Sequence, residues 1–141
     1  MGNKRTSLAD CHFISIPEIK DNRGSLGIIE SKKHIPFNIA RIYFIHSVPS
    51  GTVRGEHAHK KLCQVMCAIS GSFKIELRDG KDVQTYHLDS PHKVLFICPM
   101  IWRRLYEFSD DASCLVLASN IYDPEDYFHD YNDFISQKGI S

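Results

Sequence analysis

Two histidines separated by one residue carry the clearest chemical signal in this chain. His57 and His59 flank Ala58 in the run Gly55-Glu56-His57-Ala58-His59. If this run is a strand, side chains two residues apart point to the same face, so both imidazoles enter one cavity. Imidazole is a common metal ligand and, with an ordinary pKa of about 6.5, also a proton carrier at neutral pH. The pair predicts a metal site or an acid–base site, and surface histidines at a strand edge are the simpler alternative.

An alternating strand earlier in the chain offers a second group for proton transfer. Arg41, Tyr43 and Ile45 share one face of this strand. A tyrosine hydroxyl in that position can protonate or hydrogen-bond an oxyanion that develops during a reaction. A half-buried aromatic side chain of a β core explains Tyr43 equally well.

Short apolar runs separated by turn residues must position these side chains, and they predict a mainly β chain. Runs of this kind are typical of a sandwich, a jelly roll or a small barrel. The dipeptide Asp79-Gly80 between two of them predicts a hairpin. The predicted strands cover Phe13 to Ile16, Leu26 to Glu30, Ala40 to Val48, Gln64 to Ile69, Ser72 to Leu77, Val83 to Leu88, Lys93 to Cys98, Leu105 to Phe108 and Cys114 to Ser119.

The C-terminal part of the chain has a different pattern, which predicts a short helical tail over residues 123–136. Asp123 before Pro124 is typical of a helix N-cap followed by proline at the first helical position. Apolar side chains then recur at helical spacing, which predicts a helix packed across the β body; they are Tyr127, Phe128, Tyr131, Phe134 and Ile135.

Length and composition restrict the class of protein. The 141 residues suffice for one domain, and no repeat or linker divides the chain. Lysine and arginine number 17, as do aspartate and glutamate, so no basic surface points to nucleic acid or to anionic lipid. The longest apolar runs are five residues, such as Val94 to Cys98, whereas roughly 20 are needed to span a bilayer. We expect one domain over 1–141 that binds neither nucleic acid nor membrane.

The five cysteines indicate a reducing compartment. They form no CxxC pair, and most lie in apolar, strand-like runs, as is typical of buried reduced thiols. The first thirty residues contain no apolar stretch of signal-peptide length. We therefore expect a cytoplasmic protein.

The wider spacing around the histidines resembles the first motif of the cupin superfamily. Gly51, the pair His57 and His59, Gln64 and Gly71 have the spacing of that motif, with Gln64 at the position where cupins usually have Glu. This resemblance implies an all-β fold, the double-stranded β-helix or jelly-roll barrel, here with a short C-terminal helical segment.

The ligand positions of metal-binding cupins are only half retained. Such cupins bind the metal through the two motif histidines, the Glu and a later His, and here Gln64 replaces the Glu and Arg103 follows Pro99 where the His is expected. A catalytic metal needs about three protein donors. We therefore expect no metal and no other cofactor, which leaves His57 and His59 available for proton transfer. Five further histidines are interpreted as surface or strand residues; they are His34, His46, His87, His92 and His129.

Several separated motifs over about residues 12 to 135 resemble the WxcM-like cupins, and within them the dTDP-4-keto-6-deoxy-D-glucose 3,4-ketoisomerases. The matching segments are Asp21-Asn22-Arg23-Gly24-Ser25-Leu26, Arg41-Ile42-Tyr43-Phe44, Val53 to Lys60, Pro99-x-x-Trp102 and Asp123-x-x-Asp126-Tyr127. The resemblance implies a metal-independent homodimer that exchanges N-terminal strands. It also implies movement of a ketone from C4 to C3 of a dTDP-linked 4-keto-6-deoxyhexose in deoxysugar biosynthesis, for example of lipopolysaccharide or S-layer glycans.

The resemblance assigns roles to the candidate residues. His57 is the expected base, His59 orients it or carries a second proton, and Tyr43 serves the developing oxyanion. The diphosphate calls for arginine, which binds phosphate oxygens through two parallel hydrogen bonds. Candidate substrate-binding residues are Arg23 from the exchanged segment, Arg41, Arg54, Gln64 and Arg103; Arg104 is better explained as a surface charge.

Three other interpretations stay open at this point. A 3,5-epimerase acting on the same kind of sugar relies on a histidine paired with aspartate and on a distal tyrosine, and the sequence shows no such pairing near His57 or His59. A metal-dependent oxygenase is disfavoured by Gln64 and Arg103. A sugar-binding cupin without activity is disfavoured by the retention of both histidines.

Overall fold

The computed structural model describes residues 5–139, which form two five-stranded antiparallel sheets that face each other and a separate hairpin. The strand order is β1-β9-β6-β11-β4 in the first sheet and β12-β5-β10-β7-β8 in the second, and β2 pairs with β3. The strands are β1 (His12–Ser15), β2 (Glu18–Asp21), β3 (Gly24–Gly27), β4 (Arg41–His46), β5 (Arg54–His59), β6 (Gln64–Ser70), β7 (Phe73–Arg78), β8 (Val83–Leu88), β9 (Lys93–Ile97), β10 (Trp102–Tyr106), β11 (Ser113–Ala118) and β12 (Tyr127–Phe128). The all-β, jelly-roll prediction is confirmed.

The main core lies between the two sheets. Phe73, Ile75 and Leu77 alternate along β7 with half-buried residues, and their side chains pack against Leu95 of β9 and Val116 of β11. This period of two is what a strand with one face in the core requires. The side chains of this core pack between the sheets, and some of them also line a cavity there.

The segment between β3 and β4 covers the outer face of the first sheet. Ile35 and Phe37 from this segment pack against Val65, Cys67 and Val94, all of them buried. Strands β6 and β9 are therefore apolar on both faces, which explains their nearly continuous apolar sequences.

The hairpin predicted at Asp79-Gly80 is confirmed. Strands β7 and β8 pair from Phe73 opposite Leu88 to Arg78 opposite Val83. The Asp79 carboxylate accepts hydrogen bonds from the backbone N–H groups of Lys81 and Asp82, at 2.9 and 2.7 Å. Gly80 has a φ of +93°, which its missing Cβ permits.

The C-terminal region differs from the predicted continuous helical spacing. Asp123 caps a single 3-10 turn, Pro124–Asp126, while Tyr127 and Phe128 form β12 and pair with His59 and Ala58. The open edge of β5 offers these two residues backbone hydrogen-bond partners, and this outweighs the helical periodicity.

The α-helix, α1 (Tyr131–Lys138), begins after Asp130 and ends at Gly139. The Asp130 side chain accepts the backbone N–H of Asp133 at 3.0 Å, and Gly139 adopts the left-handed conformation. The helix packs Phe134 against Phe128 and Trp102 on the outside of the second sheet.

Two predicted strands shift. Of the run predicted over Leu26 to Glu30, only Leu26 and Gly27 lie in a strand, the exposed β3, which begins at Gly24 and pairs with β2. Strand β10 begins at Trp102, whereas the sequence predicted a start at Leu105. The prediction missed the first residues because the inward position before Leu105 holds Arg103. A charged residue in an inward position breaks the apolar alternation on which the prediction depends.

No helix within residues 5–139 is long and apolar enough to cross a membrane.

Candidate active site

A cavity of about 320 Å³ opens between the two sheets, next to the histidine pair. Its apolar wall comes from the core, including Met66, Leu105 and Val116. Its polar lining comes from β4, β5, β10 and β12 and consists of Arg41, Tyr43, Arg54, His57, Arg103 and Tyr127. An apolar cavity with a few convergent polar groups is typical of a small-molecule site.

A β-bulge turns His57 into this cavity. Along the pair formed by β5 and β10, Arg103 lies opposite His57 and Arg104 lies opposite Gly55, so Glu56 has no partner. Gly55 and Glu56 both have positive φ, +88° and +54°. A bulge of this kind changes the direction in which the next side chain points.

His57 is held as a neutral base. Its Nδ1 donates to the carbonyl oxygen of Gly55 at 3.0 Å, because a carbonyl only accepts. Nε2 consequently has a free lone pair. Burial, and then the positive charge of Arg103, lower the pKa of His57 to about 4. His57 is therefore unprotonated at neutral pH.

His59 lies behind His57 and is paired with a carboxylate. It is only 1% exposed, and its Nδ1 is 3.3 Å from Oδ2 of Asp126. Burial first, and then Arg103, lower the pKa of His59 to about 2. The sequence interpretation found no aspartate beside either histidine; the structure corrects this, because Asp126 is distant in sequence and reaches His59 through the turn before β12.

Asp126 also holds that turn in place. Its Oδ1 accepts the backbone N–H of Lys61 at 2.9 Å, and its carbonyl oxygen accepts the N–H of Lys60 at 2.8 Å. Sequence analysis singled out Asp126 only as part of a motif and gave it no contact.

Tyr127 is a cavity residue to which sequence analysis gave no role. Its ring centroid lies 5.1 Å from that of His57 and 4.4 Å from that of His59, and it stacks on His129 at 5.3 Å. The alternation of a two-residue strand is too short to show in sequence. Tyr127 lines the cavity on the side of the C-terminal segment, and the ring of His129 stacks on it.

Tyr43, Gln64 and Arg103 form a hydrogen-bonded chain. Gln64 donates from Nε2 to the hydroxyl oxygen of Tyr43 at 2.8 Å and accepts from Nη1 of Arg103. Arg103 also donates from Nη2 to the carbonyl oxygen of Ile101 at 3.0 Å. Burial raises the pKa of Tyr43, and Arg103 and Gln64 partly offset this.

Gln64 does not line the cavity, although the sequence predicted that it binds a sugar hydroxyl, whereas Arg103 does line it. Gln64 is fully buried and lies behind Tyr43, so it has no surface for a sugar hydroxyl, and Arg103 is 1% exposed at the cavity floor. Both side chains point inward because their strands alternate with the core, and they form a hydrogen bond with each other there.

Arg41 and Arg54 line the cavity nearer its mouth. The Arg41 guanidinium lies over the ring of Tyr43 at 5.3 Å and over that of Tyr122 at 5.6 Å. Arg54 is exposed, and its side chain makes no hydrogen bond or ion pair with any residue in 5–139. Two guanidinium groups at the mouth can receive a diphosphate.

Arg23 does not reach this cavity within its own chain. It lies in the turn of the β2–β3 hairpin, with its side chain 87% exposed and bound to Asp21 at 2.7 Å.

Over the part of the chain that the structure describes, no three His, Cys, Asp or Glu side chains come together to hold a metal ion. His57 and His59 have only Gln64 and Arg103 as neighbours at the other two positions of the cupin ligand pattern, and these two bind each other. This donor set does not suit a catalytic metal.

Comparison with known proteins places this geometry among related enzymes. A family model described as "FdtA: WxcM-like, C-terminal" matches residues 9–139. The chain is 44% identical over 121 residues, 86% of its length and 87% of the relative's, to TDP-4-oxo-6-deoxy-alpha-D-glucose-3,4-oxoisomerase of Aneurinibacillus thermoaerophilus.

Solved structures are similar over nearly the whole chain. The sugar 3,4-ketoisomerase QdtA of Thermoanaerobacterium thermosaccharolyticum, in complex with TDP, has a TM-score of 0.92 at 38% identity and covers 94% of this chain and 96% of its own. The TDP-quinovose 3,4-ketoisomerase WlaRB of Campylobacter jejuni has a TM-score of 0.87 at 41% identity, over 90% and 98%. A 4-keto-6-deoxy sugar epimerase, NovW of Streptomyces spheroides, is similar in fold alone, at 19% identity and a TM-score of 0.71 over 83% of this chain and 67% of its own.

Proposed function

The chain belongs to the FdtA family of WxcM-like C-terminal domains, and from this premise we propose that it is a 3,4-ketoisomerase of TDP-4-keto-6-deoxy-D-glucose. The observation that best supports this proposal is that a neutral imidazole, His57, and a tyrosine hydroxyl, Tyr43, line the same cavity. Moving a ketone between adjacent carbons needs one group that carries a proton between the carbons and another that carries a proton between the oxygens.

His57 carries the proton between the carbons. Nε2 removes the proton from C3, and the electrons of the C3–H bond form the C3=C4 double bond of an enediol. The same nitrogen then returns the proton to C4. A positioned base of this kind contributes about 10²–10⁴-fold in rate.

Tyr43 carries the proton between the oxygens. As C3 loses its proton, the electrons of the C4 carbonyl move to O4, which takes the hydroxyl proton of Tyr43. The tyrosinate then accepts the proton of the C3 hydroxyl, so that the C3 carbonyl forms as C4 is protonated. Tyrosine and histidine both return to their starting forms, and no redox partner or cofactor is required.

His59 and Asp126 support His57 from behind. The two imidazole rings meet edge to face at 4.9 Å, so the position of His59 restricts the orientation of His57. The carboxylate of Asp126 holds His59 with its proton on Nδ1.

Arg41 and Arg54 bind the diphosphate at the mouth, and the sugar lies inward, between His57 and Tyr43. Thymine is assigned because the related enzymes named above act on or bind TDP compounds.

One observation favours the alternative function, a 3,5-epimerase, and another argues against it. The histidine–aspartate pair that it requires is present as His59 and Asp126. However, His59 is buried and does not line the cavity, whereas the histidine that does, His57, is bound to a carbonyl oxygen. The residue able to meet the substrate is therefore not the paired one.

The proposed assembly is a homodimer that exchanges N-terminal segments, each chain being one domain. All residues of the β2–β3 hairpin are exposed, including the opposed apolar pair Ile19 and Leu26 at 57% and 52%. The hairpin reaches the partner and brings Arg23 to the partner's cavity. A second copy of this chain covers these apolar side chains.

The proposed compartment is the cytoplasm, and the product is proposed to enter deoxysugar biosynthesis for surface glycans such as lipopolysaccharide. All five cysteines are free, although the Sγ atoms of Cys11 and Cys98 lie 3.6 Å apart. Unjoined thiols at this distance are typical of a reducing compartment.

Proton NMR in deuterated water tests the activity. Chelator-treated protein is incubated with TDP-4-keto-6-deoxy-D-glucose while the C3 and C4 signals are followed. Loss of the C3 proton together with a new C4 centre supports the ketoisomerase. Exchange at C3 and C5 without movement of the ketone indicates an epimerase, and ligand binding without any exchange indicates a binding protein.

A further inference from the structure

Arg103 is a buried cation without a buried anion beside it. Its side chain is among the largest fully buried ones, and it makes no ion pair with a carboxylate in residues 5–139. The acidic groups around it are the hydroxyls of Tyr43 and Tyr127 and the thiols of Cys11 and Cys98. All four are weak acids that are ordinarily uncharged at neutral pH.

Burial of this charge is unfavourable, and the hydrogen bonds of Arg103 compensate for it only in part. Transfer of an uncompensated charge out of water into a protein interior is strongly unfavourable. Nε of Arg103 is also buried and has no hydrogen-bond partner among the described residues. Burial lowers the pKa of Arg103, as expected for a cation without a counter-ion.

Arg103 lines the cavity floor, and a hydrogen-bonded chain connects it to the Tyr43 hydroxyl. Arg103 donates to Oε1 of Gln64, and the amide of Gln64 donates to the Tyr43 hydroxyl oxygen at 2.8 Å. Each bond polarises the next in the same direction, which draws electron density away from Tyr43. The oxygen of Tyr43 accepts in this chain and donates to no described residue, so its own proton is free for the cavity.

We infer that Arg103 and Gln64 are positioning residues that act through Tyr43, directing its proton toward the substrate carbonyl oxygen and stabilising the negative charge left on Tyr43. This inference rests on the proposed function, since it names how that site favours proton transfer to O4. The counter-charge that Arg103 lacks in the resting protein develops during the reaction.

The transfer itself is balanced. The Tyr43 O–H bond breaks and its proton forms the O4–H bond, while the C3–H electrons enter the C3=C4 bond and the carbonyl electrons stay on O4. The phenolate that remains receives positive potential from Arg103 through the Gln64 amide. The phenolate becomes a neutral tyrosine again when it takes the proton of the C3 hydroxyl.

The variants that test the inference are Arg103→Met, Gln64→Leu and Tyr43→Phe, singly and combined. Arg104→Met is the matched control, because Arg104 is the next residue on the same strand, faces outward and is 3.5 Å from Glu76. We expect Arg103→Met and Gln64→Leu each to lower kcat by about 10²-fold, in the range seen for loss of one group that stabilises an oxyanion. TDP affinity stays within about threefold.

A double-mutant cycle separates action through Tyr43 from a structural role. In the Tyr43→Phe background, Arg103→Met should lower kcat by less than about threefold more. If the kcat losses of Arg103→Met and Tyr43→Phe multiply in the double variant, the inference is overturned, because Arg103 then acts independently of Tyr43. A large loss of TDP affinity with kcat retained at saturating substrate also overturns it, because Arg103 is then a diphosphate ligand.

Two measurements do not depend on turnover. Arg103→Met combined with Gln64→Leu should leave Tm equal to or above that of the unaltered protein, because the buried charge and its partner leave together. Protein carrying ¹³Cζ-tyrosine reports the Tyr43 hydroxyl, identified by Tyr43→Phe. Its signal should shift in Arg103→Met and not in Arg104→Met.

An unshifted Tyr43 signal overturns the inference even if the protein isomerises its substrate. A shifted signal in a protein without ketoisomerase activity supports the hydrogen-bonded chain and contradicts the proposed function. The groups that face Tyr43 and must be unchanged in this comparison are Arg41, Tyr127 and Cys114.

Discussion

At the scale of single residues, the proposed chemistry depends on His57 having a free Nε2. Asparagine at this position keeps a similar volume but cannot accept a proton. We expect His57→Asn to lower kcat by about 10²–10⁴-fold, while TDP binding changes little, because Arg41 and Arg54 are the proposed diphosphate ligands. Steady-state kinetics and calorimetry with TDP measure the two effects separately, and full activity in the variant would show that the base is another group.

The pH dependence follows from the same residue. Protonated His57 cannot take a proton from carbon, so activity falls as the pH drops through the pKa of His57, which is about 4. We expect kcat/KM, which reports the free enzyme, to have its acid limb near this value. A limb at about 6.5, where an ordinary histidine titrates, would contradict the burial argument.

Acid also acts on folding, and a control must separate the two effects. Unfolded histidines take up protons at a pKa of about 6.5, above the folded values of about 4 for His57 and about 2 for His59. Because the unfolded state then binds more protons, stability decreases as the pH falls below about 6.5. Circular dichroism at each pH identifies the range in which the chain stays folded.

At the scale of elements, the bulge in β5 sets the direction of His57. A Cβ on Gly55 would lie 3.2 Å from Cδ1 of Leu105 and 3.3 Å from the carbonyl oxygen of Arg103, at a φ of +88°. We expect Gly55→Ala to lower the free energy of unfolding by about 1–3 kcal/mol. We also expect kcat to fall on the order of 10-fold or more, because the base is displaced.

Gly51 provides the control for backbone strain alone. It has a similar φ, +82°, and a Cβ there meets nothing within 4 Å. Gly51→Ala should therefore lower stability without changing kcat at a temperature where the chain is folded. Equal losses of kcat in the two variants would show that the bulge is not what orients His57.

Features that depend on one stretch of sequence could be predicted, whereas features that depend on pairing between distant stretches could not. Alternation within β4 placed Arg41 and Tyr43 on the cavity face, and the spacing of His57 and His59 placed both rings on one side of β5. The bulge depends on the pairing of β5 with β10, which a single strand's sequence does not show. Pairing across the chain likewise joins Asp126 to His59 and makes β12 a strand.

Gln64 and Arg103 illustrate the other limit. Their types indicate polar contact with a ligand, and their positions near the cavity are as predicted. Their mutual hydrogen bond, 39 residues apart in sequence, buries both and moves them out of reach of the solvent. Sequence analysis could predict that each residue lies near the cavity, but not that the two form a hydrogen bond with each other.

At the scale of the whole molecule, the edge of the first sheet is where the proposed dimer is best tested. Strand β4 ends that sheet, and Ile42 on its outer face is 58% exposed. Exposed apolar groups on an edge strand favour association with another chain. We expect Ile42→Lys to convert the proposed dimer into a monomer in analytical ultracentrifugation, because burial of a lysine ammonium in the interface is unfavourable.

The same substitution connects assembly to activity. If the partner's hairpin brings Arg23 to the cavity, the monomer lacks that cation, and KM for the TDP-sugar should rise by about 10-fold. Arg23→Met should raise KM equally while leaving the dimer intact, and combining the two changes should add nothing further. Val83→Lys, on the edge strand of the other sheet and 52% exposed, should alter neither property. An Ile42→Lys monomer with unchanged KM would mean that each cavity is complete within one chain, and that Arg23 stays where this structure has it, bound to Asp21 in the turn of its own hairpin.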